Sequence, residues 1–187
     1  MKRYLFLVLI FSIVFCGCSA HNTQMDQAMQ LRTNLLQGSG CEFDTIITAD
    51  YGDKVYTFSL SCITDADGNL AFAVLEPQYI AGISGKIGFD GGKLTYDDVV
   101  LGFELQMDGY LSPVSAPWIF MRALRSGYVR YCGSDGEYVL LTVDDSYQTD
   151  ALMLDIWINE NLQPIKADVY ENNRCILSLQ IQNFRIL

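Results

Sequence analysis

The residue that most clearly predicts chemistry is Cys18, near the start of the chain. It follows a segment with two basic residues, Lys2 and Arg3, and then an apolar run over residues 4–15. A positive start, a short apolar run and a small residue before the cut are typical of a secretory signal. The run has about a dozen residues, fewer than the roughly 20 that a permanent membrane-spanning helix needs. We therefore expect residues 1–17 to be a signal peptide that is removed on export.

The residues around Cys18 resemble the bacterial lipobox, in which a small residue directly precedes the cysteine that receives lipid. Gly17 has this position before Cys18, whereas Cys16 follows Phe15. The resemblance implies lipidation of Cys18 and attachment to the extracytoplasmic face of the cell membrane, with residues 18–22 as a lipid-anchored tether. An ordinary secretory signal, cleaved slightly later in the chain, is the alternative.

Four further cysteines follow in the sequence: Cys41, Cys62, Cys132 and Cys175. None is in a C-x-x-C pair, so their spacing resembles no zinc site. Alternating segments at 41–49 and 54–62 flank a turn-like tetrad, which predicts a hairpin. If Ala49 pairs with Lys54, Cys41 lies opposite Cys62, and we predict a disulfide between them. Two buried free thiols are the alternative, and pairing of Cys132 with Cys175 stays open.

Residues of the usual catalytic types are few and poorly placed. The single histidine, His21, lies in the predicted tether, where it cannot complete a nucleophile–histidine pair. Residues 65–69 are too short for a calcium loop and are better explained as a hairpin turn. Adjacent aspartates at 97–98 and 144–145 point to opposite faces of a strand and cannot share a site. The sequence therefore predicts a protein that is not an enzyme and has no cofactor, metal or catalytic residues; a hydrolase with carboxylates from distant strands is the remaining alternative.

The composition is strongly acidic. The chain has 22 Asp and Glu against 12 Lys and Arg, and a formal net charge of −10. Such a charge repels nucleic acid, so we exclude DNA or RNA as a partner. The acidic residues are scattered, which is typical of a solvated surface. We expect a monomer whose membrane contact is made through its N-terminal lipid.

Two segments have helical periodicity. Residues 23–37 place apolar side chains at helical spacing and are followed by Gly38, a common helix stop. Residues 115–126 begin with a serine that can cap a helix, have Pro117 in the first turn and end before Gly127.

The rest of the chain has the alternation of β-strands. Turn residues divide it into about ten strands, which predicts a mostly β protein of the α+β class. We expect strands at 41–49, 54–62, 70–75, 83–89, 93–96, 99–106, 128–132, 138–143, 152–159, 165–170 and 175–184. An antiparallel sheet of this size must curl, and its concave face needs apolar cover, which the two helices can supply. We predict one domain over residues 23–187.

The order of these elements resembles the LolA/LolB-like lipoprotein carriers. Local phrases that carry the resemblance are residues 49–53 with 56–58, 76–77 with 80–83, and 111–113 with 116–117. They are most similar to a Gram-positive, clostridial-type branch of small lipoproteins. The resemblance implies an incomplete (half) β-barrel, covered by two or more helices, with a hydrophobic cavity between them. Carriers of this kind hold acyl chains of lipids or lipoproteins, and relatives of the same shape dock a membrane-bound regulator.

We therefore expect a membrane-anchored protein that binds a hydrophobic ligand, namely an acyl chain, a lipid or a lipoprotein. The alternative is a regulatory or scaffold lipoprotein, without enzymatic activity, that docks another envelope protein. Inward-facing strand positions and the apolar face of the second helix predict the residues that contact the ligand: Phe43, Phe58, Leu60, Phe72, Trp118 and Met121.

Overall fold

A computed structural model describes residues 23–187, except 97–98, 104–105, 108–109 and 149–150. The predicted signal, tether and lipidated Cys18 lie outside the described residues, as do His21 and the 97–98 aspartates. Two α-helices are present, α1 (Thr23–Gln37) and α2 (Ala116–Ser126), close to the predicted bounds. Ser115 does not cap α2, because its hydroxyl donates a hydrogen bond to the carbonyl of Ser112 at 2.6 Å.

The other elements are strands, as the alternation predicts. They are β1 (Gly40–Asp50), β2 (Val55–Asp65), β3 (Leu70–Glu76), β4 (Ser84–Gly88), β5 (Gly91–Tyr96), β6 (Val99–Phe103), β7 (Gln106–Met107), β8 (Tyr110–Leu111), β9 (Tyr128–Asp135), β10 (Tyr138–Asp144), β11 (Met153–Ile158), β12 (Pro164–Glu171) and β13 (Arg174–Ile186). The single strand expected over 99–106 is divided between β6 and β7.

Eleven strands form one antiparallel sheet, and β7 pairs with β8 separately. The order across the large sheet is β6-β5-β4-β3-β2-β1-β13-β12-β11-β10-β9. Strands that are consecutive in the sequence are therefore adjacent in the sheet nearly everywhere. The exception is the last strand, β13, which pairs with β1 in the middle of the sheet. The end strands β6 and β9 do not pair with each other within the described sheet, so the curved sheet stays open rather than closing into a barrel. This confirms a mostly β architecture built on an open antiparallel sheet.

The predicted register of the first hairpin is wrong by two residues. Asp50 pairs with Val55, so Cys41 lies opposite Thr64 and Cys62 lies opposite Phe43. The two cysteines are diagonal neighbours, roughly 7–8 Å apart in an antiparallel pair and too far for a disulfide. Both are buried free thiols, which contradicts the predicted Cys41–Cys62 disulfide.

Helix α2 lies in the concavity of the sheet and is almost completely buried. Phe120 and Leu124 have no exposed surface, and the Phe120 ring meets Phe43 of β1 edge-on, with centroids 5.9 Å apart. A helix that is apolar nearly all round is typical of a core element rather than a surface one. Helix α2 therefore fills the middle of the sheet.

The side chain of Arg32 joins helix α1 to the end of α2. Its guanidinium donates hydrogen bonds to the carbonyls of Leu124 (2.8 Å), Ala123 (3.1 Å) and Gly127 (2.5 Å). These carbonyls end α2, where the helix has no internal donors and its dipole is negative. Burial lowers the pKa of Arg32 from its usual value. Within the described residues, no helix combines the length and apolarity that a membrane crossing requires.

Candidate ligand-binding cleft

A large cleft lies beside α2, on the side that faces away from the core. It has a volume of about 1000 Å³ and is bounded by the β4–β6 wing of the sheet, one side of α2 and the segment that follows β10. Its lining comprises Phe89, Asp90, Gly91, Gly92, Lys93, Gly102, Phe103, Leu111, Trp118, Ile119, Arg122, Asp145, Ser146, Gln148, Leu152 and Glu171. The lining of the cleft is therefore partly apolar and partly charged, a combination that matches a ligand with an apolar part and a polar part.

Glycines shape the strand wall of the cleft. A Cβ at Gly92 would lie 2.2 Å from the ring of Phe103, which pairs with it across β5 and β6. The absence of a side chain at Gly92 thus lets the Phe103 ring lie flat across the neighbouring strand. A Cβ at Gly102 would meet nothing within 4 Å, and it would point to the face of β6 opposite to the Phe103 ring.

The floor of the cleft is apolar and comes from α2. Trp118 and Ile119 are each only 2% exposed. The ring of Phe89 packs edge-on against the Trp118 indole, with centroids 5.7 Å apart, yet Phe89 itself is 74% exposed. Phe89 therefore covers the indole from a hairpin turn without being held by the core.

An ion pair closes one end of the cleft. The Arg122 guanidinium contacts Asp145 Oδ2, while Asp145 Oδ1 accepts a hydrogen bond from the backbone N–H of Leu152 at 2.9 Å. Asp145 therefore joins the loop after β10 to helix α2. Arg122 Cζ also lies 4.7 Å from the centre of the Trp118 ring, within the range of a cation–π contact.

Two N–H groups at this end have no hydrogen-bond acceptor among the described residues. They are Trp118 Nε1 and Arg122 Nε, and both atoms are buried. A buried polar group without a partner is rare and costs roughly 1–3 kcal/mol. Two such N–H groups in neighbouring side chains that line one cleft are more typical of a binding site than of a closely packed core.

The residues predicted to contact a ligand are divided between the cleft and the core. Trp118 lines the cleft, whereas Leu60 and Met121 are buried in the core. Phe58 is half-buried on β2. Phe43 and Phe72 are buried and also line a second cleft of about 460 Å³ on β1, β2 and β3. That cleft is half the size of the first and is formed by β1–β3 and Asn183, without the helix.

Sequence reasoning missed Phe89, Phe103 and Arg122 as cleft residues. One signal was available for the first two, because a glycine pair at 91–92 closely follows Phe89, and Gly102 directly precedes Phe103. Glycines inside strands mark close approach or open space. No local signal identifies Arg122, whose role depends on the distant Asp145.

The buried thiols offer no nucleophile. Burial raises the pKa of both the Cys41 and the Cys62 thiols, which keeps them protonated at neutral pH. Cys41 Sγ lies 3.1 Å from Thr64 Oγ1 and 3.8 Å from Met121 Sδ, inside the core. Across the part of the chain that is described, no group of three or more His, Cys, Asp or Glu side chains is arranged to hold a metal.

No family model matches this chain, and no curated protein matches it. Solved structures with a similar shape include a DUF1329 family protein from Desulfovibrio piger, with 11% identity, a TM-score of 0.48, and coverage of 86% of this chain and 90% of that one. A LolA superfamily protein from Nitrosomonas europaea has 10% identity and a TM-score of 0.44 and covers 86% and 93%. The lipoprotein LppX of Mycobacterium tuberculosis has 10% identity and a TM-score of 0.40 and covers 85% of this chain and 90% of that one. The structural neighbours of this chain therefore include proteins of the LolA and LppX kind.

Proposed function

We propose that this protein is an exported lipoprotein, anchored through Cys18 at the extracytoplasmic face of the cell membrane, that binds the acyl chain of a lipid or lipoprotein. The site is the cleft between the β4–β6 wing and α2. Its role is binding and not catalysis. The Gram-positive, clostridial-type origin, the single domain and the monomeric state stay predictions.

The observation that carries the proposal is the size and lining of the cleft. About 1000 Å³ is at the upper end of the range of 300–1,000 Å³ that is typical of small-molecule sites. Burial of one methylene contributes about 0.8 kcal/mol, so about ten buried methylenes contribute roughly 8 kcal/mol before the cost of association. The aromatic and aliphatic walls can supply such burial.

Phe103 offers a direct test, because its half-buried ring lines the cleft. In a chain produced from residue 19 onward, which contains every described element, we expect Phe103→Ala to weaken binding of a fluorescent acyl probe at least tenfold. Val100→Ala is the matched control, since its side chain is on the other face of the same strand and is 59% exposed. Both variants should keep a cooperative thermal transition. An unmodified protein that binds no acyl probe would contradict the proposal, and so would equal losses in the two variants.

The anchor is tested separately. In cells, we expect the protein to be found in the membrane fraction and to incorporate a labelled fatty acid. Cys18→Ser should abolish both, whereas Cys16→Ser should leave both unchanged. Labelling that survives Cys18→Ser would show that the lipobox is placed wrongly.

The edge strand β6 favours a second candidate function. Val99, Val100 and Leu101 are 57%, 59% and 61% exposed on a strand that has no partner on its outer side within the described sheet. The free backbone groups of such an edge can pair with an extended segment of another chain. The second candidate is therefore docking of an extended segment of another envelope protein on β6.

Crosslinking in cells tests this second candidate. A photo-crosslinker at Val99 should give one adduct of constant mass. The substitution Leu101→Lys should remove this adduct, because a charge on the edge strand opposes strand pairing. Tyr147→Lys, at a position that is 83% exposed elsewhere, should leave the adduct unchanged. The absence of an adduct at Val99 would exclude β6 as the docking site.

A further inference from the structure

The unpaired donors in the cleft define what the polar end of a ligand must provide. Trp118 Nε1–H and Arg122 Nε–H can only donate hydrogen bonds, so the ligand must present an acceptor. Both groups lie in side chains of the cleft lining, one helical turn apart on α2. Residues four apart on a helix are neighbours on its surface, so one oxygen-bearing group can be shared between them.

The charges around these donors disfavour an anion. The positive charge of Arg122 is already offset by Asp145. Asp90 and Glu171 also line the cleft, and Lys93 is the remaining cation among the described lining residues. The whole chain has a formal net charge of −10, which adds to the repulsion. An uncharged acceptor therefore fits better than a carboxylate or a phosphate.

Access to the donors requires a movable cover, since both nitrogen atoms are buried. Phe89 packs against the indole but is 74% exposed, so its displacement costs less contact than that of any core side chain. A ligand that replaces the Phe89 ring with its own hydrocarbon recovers that contact. The acceptor would then enter beside Trp118 and Arg122, and the chain would extend along Phe103.

We infer that the cleft selects uncharged acyl esters over free fatty acids, with the ester carbonyl accepting hydrogen bonds from Trp118 Nε1 and Arg122 Nε. This rests on the proposed function and names the chemical class of its ligand. An ester carbonyl is a neutral acceptor attached directly to an acyl chain, and it satisfies two donors that are otherwise left unpaired. A free fatty acid adds a negative charge at a site where Asp145 already offsets Arg122 and where Asp90 and Glu171 outnumber the remaining cation, Lys93.

Three lipids with the same oleyl chain test the inference. They are 1-monooleoylglycerol, its ether analogue 1-O-oleylglycerol, which lacks the carbonyl, and oleate at pH 8.5. The protein is the chain from residue 19 with Trp157→Phe, so that Trp118 is the sole tryptophan and its emission reports binding. Trp157 donates to Asp135 at 2.7 Å, and neither residue lines this cleft.

We expect the ester to bind about twofold to tenfold tighter than the ether, which is the net contribution of one typical hydrogen bond. Oleate should bind more weakly than the ester. Equal affinity for ester and ether, or tightest binding of oleate, would overturn the inference while leaving acyl-chain binding intact. Failure of all three lipids to bind would contradict the proposed function itself.

Two substitutions separate hydrogen bonding from packing. Trp118→Phe keeps an aromatic ring and removes the N–H, and Arg122→Lys keeps the charge for Asp145 and removes the Nε–H. With binding measured by calorimetry in the otherwise unchanged chain, each should reduce the preference for ester over ether. A loss of equal size for both lipids would show that the two side chains act by packing alone, and would overturn the inference.

Discussion

The two sides of α2 meet very different surroundings. On one side, Phe120 is wholly buried against Phe43 and the sheet. On the other side, Trp118 and Arg122 border a cleft of about 1000 Å³ and have N–H groups without acceptors. The core side has complementary neighbours for its side chains, whereas the cleft side is incompletely matched.

This difference indicates that the two sides of α2 have different roles, one in stability and one in binding. The core side supplies the burial that holds the fold, because close-packed apolar contacts dominate stability. The cleft side gives up some stability, since unpaired donors and open space both cost free energy. A ligand that fills the space and accepts the hydrogen bonds would recover what the cleft side lacks.

The largest expected difference between the regions is in thiol reactivity. Cys41 and Cys62 lie in the core, where burial raises the pKa of each thiol. Alkylation of the pair requires opening of the core, which for a domain of ordinary stability slows the reaction more than about a thousandfold. Cys175 is only half-buried and should react first. Mass spectrometry of the native protein during maleimide treatment measures the order, and early modification of Cys62 would show that the core is not closed.

Truncation of aromatic rings should separate stability from binding. Phe120→Ala should lower the free energy of unfolding by about 3–5 kcal/mol, because it removes a fully buried ring. Phe103→Ala removes a half-buried ring from the cleft wall, and we expect a loss below about 1.5 kcal/mol together with weaker acyl binding. Urea unfolding and probe titration measure the two effects. Equal losses of stability would contradict the division between core and cleft.

Removal of Arg32 should loosen α2 on its core side. Arg32→Met leaves the carbonyls of Ala123, Leu124 and Gly127 without these donors, and we expect a loss of about 2–3 kcal/mol. Arg185→Met is the control, because Arg185 forms an exposed ion pair with Glu42 and should cost less than about 1 kcal/mol. Urea unfolding of both variants checks this, and equal costs would contradict the role of Arg32 at the end of α2.

The smallest expected effect lies far from both regions, at Asp65. Hydrogen bonds from Asn69, from its side chain first, lower the pKa of Asp65 below its usual value of 3.8. A lowered pKa contributes stability above the usual value, and this is lost as the pH falls through the lower pKa of the folded state. Because Asp65 is solvent-exposed, the contribution should stay below about 1 kcal/mol. Asp65→Asn should therefore be slightly less stable than wild type at pH 7, and the difference should vanish once the pH falls below the lowered pKa of Asp65. A difference that is constant with pH would exclude this cause.

The element order could be predicted from local signals, because turns and periodicity are encoded within a few residues. Helix α1 ends where Gly38 predicts, and nearly every strand lies within a few residues of its expected bounds. The register of the first hairpin could not be predicted in this way. A shift by two residues keeps every side chain on the same face, so the apolar pattern is equally satisfied by both registers.

Turn geometry decides the register instead. Asp50 Oδ1 accepts a hydrogen bond from the N–H of Gly52 at 2.7 Å, and Tyr51 N–H donates to the carbonyl of Lys54 at 3.0 Å. Gly52 has a φ of +94°, which a glycine adopts readily. These contacts make a four-residue loop between Asp50 and Val55, so Cys41 lies opposite Thr64.

The position of the cleft also could not be predicted from local sequence patterns. Trp118 was identified because it has the helical spacing of an apolar face. The side of the helix that meets a cleft, however, depends on where the β4–β6 wing and the loop at Asp145 lie. Those placements are set by long-range packing, which local patterns do not encode. The alternation that predicts Phe43 and Leu60 as ligand contacts is the same alternation that buries them in the core.

The most direct test of acyl-chain binding in the cleft uses a monoacylglycerol whose chain carries bromine atoms, which quench tryptophan fluorescence at short range. Two single-tryptophan proteins are titrated to saturation, one with Trp157→Phe and one with Trp118→Phe. If the chain lies in the cleft, the emission of Trp118 falls on binding, while that of Trp157, which does not line the cleft, stays nearly constant. Quenching of Trp157 without Trp118, or of neither residue, would contradict acyl binding at this site.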